Sequence, residues 1–361
     1  MKKILYLFAI LSLLTANILV ISTTFADDND EFNESFSSII GVRLDLTKEL
    51  EQLGYTAENL PKISGDLLRN LITQNKKSIE PLRAQDYSKA LNPNNILRLD
   101  PPKPTTSNEL NSSASKENNG EPSILDYYGD KACLIVGIWT YPYSSETYPW
   151  SNLSGWFDDA FYDLCYHVAY DGDYDNIITL AQSAATISNI DNWITWLCMY
   201  YENVDVYFFG HGGVFEIIPG IWYYWGYSCW DACSYPDGEP DSDGVYLPWD
   251  LYTHQDEWGT DDRSTLRMSI FGCCWGGVFD DPCINPGGNV NHDRAFAGGN
   301  GNMLGDYVEL YTFAWGNYWY NLDYASDNAW YYSEQYAVNN SWWGTNQTRY
   351  EYEDTGYSIY K

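Results

Sequence analysis

Short apolar runs alternate with helical stripes of apolar residues from residue 131 to the C-terminus. Residues 132–138 (ACLIVGI), 204–209 (VDVYFF) and 266–272 (LRMSIFG) form mainly apolar runs, each followed by polar or turn-forming residues. Runs of this length are typical of strands that are buried on both faces of a parallel sheet. The pattern therefore predicts three central strands, together with a short strand at residues 176–180.

Helices are predicted between these strands, because apolar residues recur there at three- and four-residue spacing. The first stripe consists of Leu153, Phe157, Ala160, Phe161, Leu164 and Val168. The second consists of Ile190, Ile194 and Leu197, and its expected N-cap is Ser188 or Asn189. A long helix is predicted at about residues 306–322, with its aromatic residues in the core rather than in a glycan platform. Alternating strands and helices predict an α/β fold with a mostly parallel central sheet flanked by helices.

The N-terminal part of the chain differs from this pattern. Residues 1–26 carry two lysines, an apolar run and a small-x-small ending, which is typical of a secretory signal peptide; an uncleaved membrane anchor is the alternative. Residues 27–84 have helical spacing and predict a helical pro-region, or else a spacer or docking segment. Residues 85–124 are polar and proline-containing and predict a disordered linker. Residues 125–361 form the main predicted domain.

Composition restricts the partners of the chain more than it restricts the fold. Of the 361 residues, 45% are apolar and 17% are aromatic, which is ample for a large core. The 50 acidic residues outnumber 19 basic ones, and the formal net charge of -31 opposes binding to nucleic acid or to an anionic membrane surface. We therefore expect no nucleic-acid partner and, apart from the N-terminal anchor alternative, no membrane. The signal peptide predicts a secreted or extracytoplasmic protein, and its oligomeric state stays open.

Eight cysteines would ordinarily suggest disulfides in a secreted chain. Cys133 and Cys198 lie in apolar segments, however, and are predicted to be buried thiols. Cys229 and Cys233 could pair with each other or with Cys283. These three cysteines could instead bind zinc, although their C-x-x-x-C spacing is weak evidence for a metal site.

Two of the predicted strands are followed by residues that can carry out chemistry. The run at 204–209 leads into GHGG, which contains His211, and the run at 266–272 leads into CCWGG, which contains Cys274. A thiol attacks as its thiolate, and a histidine is the usual base. Ligands bind at the carboxyl ends of parallel strands, so we expect the two residues to meet there. The backbone N–H groups of Gly212 and Cys274 are the expected donors to an oxyanion.

The sequences FFGHGG at 208–213 and CWGG at 274–277 resemble the His and Cys motifs of the caspase, metacaspase and legumain family of cysteine peptidases. The resemblance implies a caspase-hemoglobinase-like three-layer sandwich over about residues 125–340, and a cysteine endopeptidase that cleaves peptide or protein substrates without a required cofactor. It also favours Cys274 over Cys273 as the nucleophile, because Cys274 keeps the metacaspase-like register. Metacaspases usually carry an acidic residue where this chain has Gly272. The resemblance therefore does not extend the metacaspase preference for Arg or Lys in the substrate to this chain.

A second candidate site lies in the acidic stretch between the two motifs. Glu239, Asp241, Asp243, Gly244 and Asp250 occupy positions one, three, five, six and twelve of an EF-hand-like loop. Glutamate at position one and aspartate at position twelve both weaken the match. Calcium binding is therefore a hypothesis, and a solvated acidic turn is the alternative.

Other functions use the same residues or different ones. A peptide ligase or transpeptidase would use Cys274 and His211 in the same way, whereas a non-catalytic extracellular binding protein would keep only the fold. The His-Gly-Gly triplet also suggests an α/β-hydrolase, but the chain lacks the G-x-S-x-G nucleophile elbow. His167 and His254 are expected to be structural or solvated. Asp158 and Asp159 could line the site, although carboxylates on a helix usually face water.

Overall fold

The computed structural model describes residues 39–75, 80–83, 129–140, 155–218, 222–230, 245–246, 248, 250–251, 265–284, 293–301, 303–341, 349–354 and 359–361. The predicted signal peptide, the linker at 85–124 and His254 lie outside the described residues. The same holds for Glu239, Asp241, Asp243 and Gly244 of the proposed calcium loop. None of the helices in the described ranges is long and apolar enough to cross a bilayer.

A six-stranded sheet forms the centre of the main domain, in the order β11-β10-β9-β5-β3-β4. Its strands are β3 (Gly129–Gly137), β4 (Asn176–Ala181), β5 (Tyr201–Phe209), β9 (Thr265–Gly272), β10 (Ala295–Gly299) and β11 (Tyr350–Asp354). Neighbouring strands run parallel except at one edge, where β11 is antiparallel to β10. The sheet is therefore mostly parallel, as the apolar runs predict.

Helices flank this sheet. They are α3 (Phe157–Asp171), α4 (Ile187–Tyr200), α5 (Asp280–Ile284), α6 (Gly305–Trp315) and α7 (Ser326–Asn340). Short 3₁₀ turns occur at Gln182–Ala184 and Gly276–Phe279, and a π-helical turn at Gly316–Asn321 continues α6. The arrangement is an α/β fold compatible with a three-layer sandwich. The tryptophans and tyrosines of this region are largely core residues, since Trp315, Trp319 and Tyr320 are fully buried.

The predicted elements are mostly confirmed, with small changes at their ends. All four predicted strands are present as β3, β4, β5 and β9, and the described residues of the first helical stripe are buried in α3. The predicted N-cap of α4 is wrong: the cap is Thr186, whose hydroxyl accepts the N–H of Asn189 at 3.2 Å. The threonine lies one residue before the helix, where its backbone is extended, and this conformation lets its side chain reach the third helical N–H.

An ion pair lies in the interior of the main domain. Arg267 donates from Nε to Oδ1 of Asp205 at 2.9 Å and from Nη2 to Oδ2 at 2.5 Å, and both residues are buried. The pairing register shifts here, because Val204 pairs with Leu266 whereas Asp205 pairs with Met268. Arg267 is therefore the extra residue of a bulge, which turns its side chain toward Asp205. Its pKa is lowered by burial, but the charge and hydrogen bonds of Asp205 outweigh this effect and raise it overall.

The N-terminal segment, residues 39–83, joins a second sheet, in the order β2-β1-β6-β7-β8. The strands are β1 (Ile39–Arg43), β2 (Glu80–Arg83), β6 (Gly212–Ile218), β7 (Trp222–Ser228) and β8 (Val245–Tyr246). Between β1 and β2 lie helices α1 (Thr47–Gln52) and α2 (Gly65–Asn75) and a 3₁₀ turn at Leu60–Lys62. The helices agree with the prediction for this segment, whereas its strands were not predicted. Because β6 begins one residue after His211, the N-terminal segment pairs with the strand that leads away from that histidine.

The N-terminal segment is expected to stay bound when the chain is cut between residues 84 and 128 with an engineered protease site. β1 pairs in parallel with β6, and the N–H of Leu46 donates to the carbonyl of Ile217 at 3.0 Å. The fully buried Ile217 packs with leucines of the segment, including Leu50 and Leu68. Each such burial contributes about 1.5–3 kcal/mol. Gel filtration should therefore show the two fragments eluting together.

A matched variant tests which contacts retain the segment. Leu68→Glu places a charge in this small core, so its cut form should release the N-terminal fragment while the wild-type form does not. Separate elution of the wild-type fragments without denaturant would show that the segment is held only by the covalent chain.

Candidate active site

His211 and Cys274 follow two adjacent strands of the central sheet. β5 and β9 pair in parallel, and the last pair in their register joins Phe209 to Gly272. The N–H of Gly210 donates to the carbonyl of Gly272 at 3.4 Å, which continues the contact past the strand ends. The predicted adjacency of the two strands is thus confirmed. Both candidate catalytic residues lie within two residues of this last pair.

Gly212 packs directly on the backbone of Cys274. A Cβ atom at Gly212 would lie 1.7 Å from the carbonyl oxygen of Cys274 and 3.0 Å from its nitrogen. Real side chains cannot approach that closely, so only glycine fits this position without a shift of one of the two segments. The absence of a side chain therefore brings the His211 segment and the Cys274 segment into contact.

The thiol of Cys274 is partly buried and touches Met303. The N–H of Met303 donates to Sγ at 3.3 Å, and the thiol lies 3.6 Å from the Met303 carbonyl, to which it can donate. Burial raises the pKa of the Cys274 thiol to about 11, although the hydrogen bond from Met303 opposes the shift. The thiol is therefore neutral near pH 7 in the resting protein.

Two contacts around the site could not be recognised from the local pattern alone. In the first, the carbonyl of Gly301 accepts the N–H of Trp275 at 2.8 Å. Gly301 and Met303, which both lie between β10 and α6, therefore contact the Cys274 turn. Tyr227 of β7 is fully buried and donates its hydroxyl to the carbonyl of Phe209 at 2.9 Å, which fixes the chain just before His211. The glycine-rich sequence GGNGN at 298–302 was the available signal for the first contact. No comparable signal marks Tyr227.

Cys273 is fully buried. Burial raises its pKa well above the usual value, as it does for Cys133. Seven cysteines in the described ranges are reduced: Cys133, Cys165, Cys198, Cys229, Cys273, Cys274 and Cys283. The predicted buried thiols at Cys133 and Cys198 are confirmed. Cys283 and Cys229 are both reduced and buried, and Cys233 lies outside the described residues.

Tight packing accounts for the glycine at position 272. A Cβ at Gly272 would lie 2.9 Å from the hydroxyl of Tyr350, 2.9 Å from Cδ1 of Phe209 and 3.1 Å from Cγ1 of Val308. Tyr350 belongs to the antiparallel edge strand β11 and is itself buried. The edge strand thus occupies the space that an acidic side chain at position 272 would need.

The remaining candidate residues have simpler roles or are only partly described. Asp250 is buried, and no cluster of three or more His, Cys, Asp or Glu in the described ranges could hold a metal ion. The calcium hypothesis concerns residues outside those ranges and stays a prediction. His167 has the structural role expected of it, since its ring stacks on Tyr320 and its Nδ1 lies 3.3 Å from Oδ2 of Asp171.

Gly212→Ala is expected to lower any activity of this site by about 100-fold, because the new Cβ must push the His211 and Cys274 segments apart. Initial rates and the thermal unfolding midpoint would be measured together. Gly155→Ala is the control, since a Cβ there meets no atom within 4 Å but the φ of +93° is strained. The control should lose stability without loss of activity. Wild-type activity in Gly212→Ala would show that the contact has no role in the site.

Comparisons with known proteins leave the family of the chain unassigned. No family model matches the sequence, and no curated protein matches it. Among solved structures, the crystal structure of protein GSU0716 from Geobacter sulfurreducens is similar to 62% of this chain and 93% of its own, with 13% identity and a TM-score of 0.37. At this level of similarity, neither a shared fold family nor a shared function follows.

Proposed function

We propose that the protein is a cysteine endopeptidase in which Cys274 is the nucleophile and His211 is the general base. The observation that carries the proposal is the adjacency of β5 and β9, which end side by side just before these two residues. The packing of Gly212 on the backbone of Cys274 supports it further, because the two oxyanion donors that we assign then belong to touching segments. The resemblance of FFGHGG and CWGG to the caspase, metacaspase and legumain motifs agrees with this assignment.

The proposed reaction is an acyl transfer in two steps. His211 takes the thiol proton while Cys274 Sγ bonds to the carbonyl carbon, and the N–H groups of Gly212 and Cys274 bind the oxyanion. His211 then gives the proton to the leaving amine, the C–N bond breaks and a thioester remains. Water then attacks the thioester while His211 accepts a proton from it. The resulting tetrahedral intermediate collapses, which releases the acid product, and His211 returns the proton to the sulfur to restore the thiol.

The raised pKa of the Cys274 thiol restricts how the first step proceeds. A thiol with a pKa of about 11 carries almost no thiolate at pH 7. Proton transfer to His211 must accompany the attack, as in general base catalysis. The N–H of Met303, which donates to Sγ, would stabilise negative charge on the sulfur as it develops.

The same pKa favours one competing function. A buried neutral thiol is typical of an inert structural cysteine, which would suit a non-catalytic extracellular binding protein with this fold. The two functions differ in one measurable property, namely thiol-dependent cleavage of peptides. A ligase or transpeptidase would instead give joined peptides when an amine competes with water.

Digestion of a peptide library tests the proposal. Reduced full-length protein would be incubated near pH 7 with and without calcium, and parallel samples would first be alkylated with iodoacetamide. We expect cleavage that alkylation abolishes, and mass spectrometry would identify the cleaved bonds and any ligated products. The absence of cleavage in all samples, or cleavage that survives complete alkylation of Cys274, would contradict the proposal. Cleavage that requires calcium would support the calcium hypothesis for residues 239–250.

A further inference from the structure

Three tyrosines project into solvent from successive turns of α3. This tyrosine row consists of Tyr162, Tyr166 and Tyr170, which are 60%, 60% and 75% exposed. Residues four apart lie on one face of a helix, and the rings of Tyr166 and Tyr170 are 4.7 Å apart. Contiguous exposed aromatic surface is uncommon on soluble proteins and often marks an interaction site. We therefore expect the row to bind another molecule.

The tyrosine row begins at the edge of the sheet where Cys274 and His211 lie. The ring of Tyr162 is 5.6 Å from the ring of Trp139, which follows the carboxyl end of β3. The preceding residue, Phe161, packs against Gly137 at the end of the same strand. Since β3 and β5 are parallel neighbours, the carboxyl end of β3 lies beside the His211 segment. A chain bound along the row would thus approach the candidate active site.

Carboxylates adjoin the tyrosine row. Asp159 and Asp163 belong to the same helix as the row, and Asp306 and Glu309 belong to the first turns of α6. The pKa of Glu309 is raised to about 7, first by burial and then by the charges of Asp159, Asp163, Asp306 and Asp158. These carboxylates are therefore close enough to repel one another. A positive charge bound among them would relieve that repulsion.

We propose that the tyrosine row and the adjoining carboxylates bind a lysine- or arginine-rich polypeptide segment and deliver it to Cys274. The delivery rests on the proposed peptidase function, whereas the binding does not. Ammonium and guanidinium groups stack on tyrosine rings and pair with carboxylates. The spacing also fits, because residues four apart on a helix are separated by about 6 Å along the helix axis. Alternate side chains of an extended peptide recur about every 6.6 Å, so successive basic side chains can meet successive rings.

The local charge separates this partner from the other polymers that bind aromatic surfaces. Anionic polymers are opposed both by the carboxylates beside the row and by the net charge of -31. A neutral glycan would stack on the rings but would gain nothing from the carboxylates. A basic polypeptide uses both features, so the surface matches it best.

Binding is tested without catalysis in full-length Cys274→Ala protein. The probes are a twelve-residue lysine peptide, a glycine-serine peptide of the same length and a soluble neutral glucan, with affinities measured by calorimetry. We expect only the lysine peptide to bind, and its affinity to fall as salt is added. Replacing all three row tyrosines by alanine should weaken it by about tenfold or more. Tyr331→Ala with Tyr332→Ala on α7 is the matched control, since these exposed tyrosines lie outside the row.

Several results would overturn the proposal. The first is a triple variant that binds the lysine peptide as tightly as the protein with the row intact, and the second is binding of the glucan instead of the peptide. The third is an affinity for the lysine peptide that falls in the Asp159→Asn, Asp163→Asn double variant but not in the triple variant. In active enzyme, the triple variant should raise KM for a lysine-rich protein while leaving kcat/KM for a short peptide unchanged. If the protein binds the lysine peptide but cleaves no peptide, the peptidase function is rejected and the proposed binding site still stands.

Discussion

Cys274→Ala is expected to abolish thiol-dependent peptide cleavage, with a fall in kcat/KM of roughly a thousandfold or more. The substitution removes the sulfur that would bond to the substrate carbonyl, and no water positioned by His211 replaces it at the same rate. Because the thiol is only partly buried and alanine is smaller, the fold should persist. Initial rates on a cleaved library peptide, together with circular dichroism of the folded protein, would check both statements.

Cys273→Ala is the matched control for this experiment. The two cysteines are adjacent, but Cys273 is fully buried and its pKa is raised well above the usual value. We expect its replacement to lower stability by about 1 kcal/mol, as for loss of a small buried side chain, and to leave kcat/KM within a few-fold of wild type. The opposite pattern would reassign the nucleophile to Cys273. Full activity in both variants would remove the cysteine peptidase function altogether.

Arg267→Met is expected to lower the free energy of unfolding by about 3–5 kcal/mol. The substitution leaves the carboxylate of Asp205 buried without its cation, at a point where burial is complete. Tyr174 still donates its hydroxyl to Asp205, but one neutral donor does not offset the lost charge. Arg267 also donates to the carbonyl of Tyr360 at 3.0 Å, so the C-terminal residues lose a contact as well. Urea unfolding monitored by fluorescence would measure the change.

The double variant Asp205→Leu with Arg267→Met distinguishes a buried charge from lost packing. In other proteins, replacing both members of a buried ion pair by apolar residues often changes the stability little. The double variant should therefore be more stable than Arg267→Met alone. If the single and double variants are equally destabilised, the loss comes from packing at the bulge rather than from the unpaired carboxylate. Activity at saturating substrate should stay near wild type in both, because Asp205 and Arg267 lie within β5 and β9 well before the strand ends that carry His211 and Cys274.

Local pattern was sufficient for the central elements of the fold. The strands β3, β5 and β9 and helix α3 follow from apolar runs and stripes because burial on both faces of a parallel sheet selects continuous apolar sequence. The same pattern placed Cys274 and His211 just beyond two strand ends. That β5 and β9 are neighbours was an inference from the α/β pattern, and the register between Phe209 and Gly272 confirms it.

Contacts between distant parts of the chain could not be predicted in this way. The pairing of β1 with β6, the donation from Met303 to Cys274 and the filling of the space at Gly272 by Tyr350 each join residues far apart in sequence. Arg267 interrupts an apolar run, and the local pattern reveals neither its bulge nor its partner Asp205. Local propensity carries no information about such partners, because each depends on where another element packs.

For this protein, the sequence by itself determined which segments are buried strands and helices and which two strand ends carry a thiol and an imidazole. These properties depend on the apolar period and on residue identity, which are local. Only the tertiary structure decided that Gly212 lies on the backbone of Cys274, that Met303 contacts the thiol and that the N-terminal segment pairs with the strand after His211. Each of these is a contact across the fold, set by packing and by the absence of a side chain at one glycine rather than by any pattern along the chain.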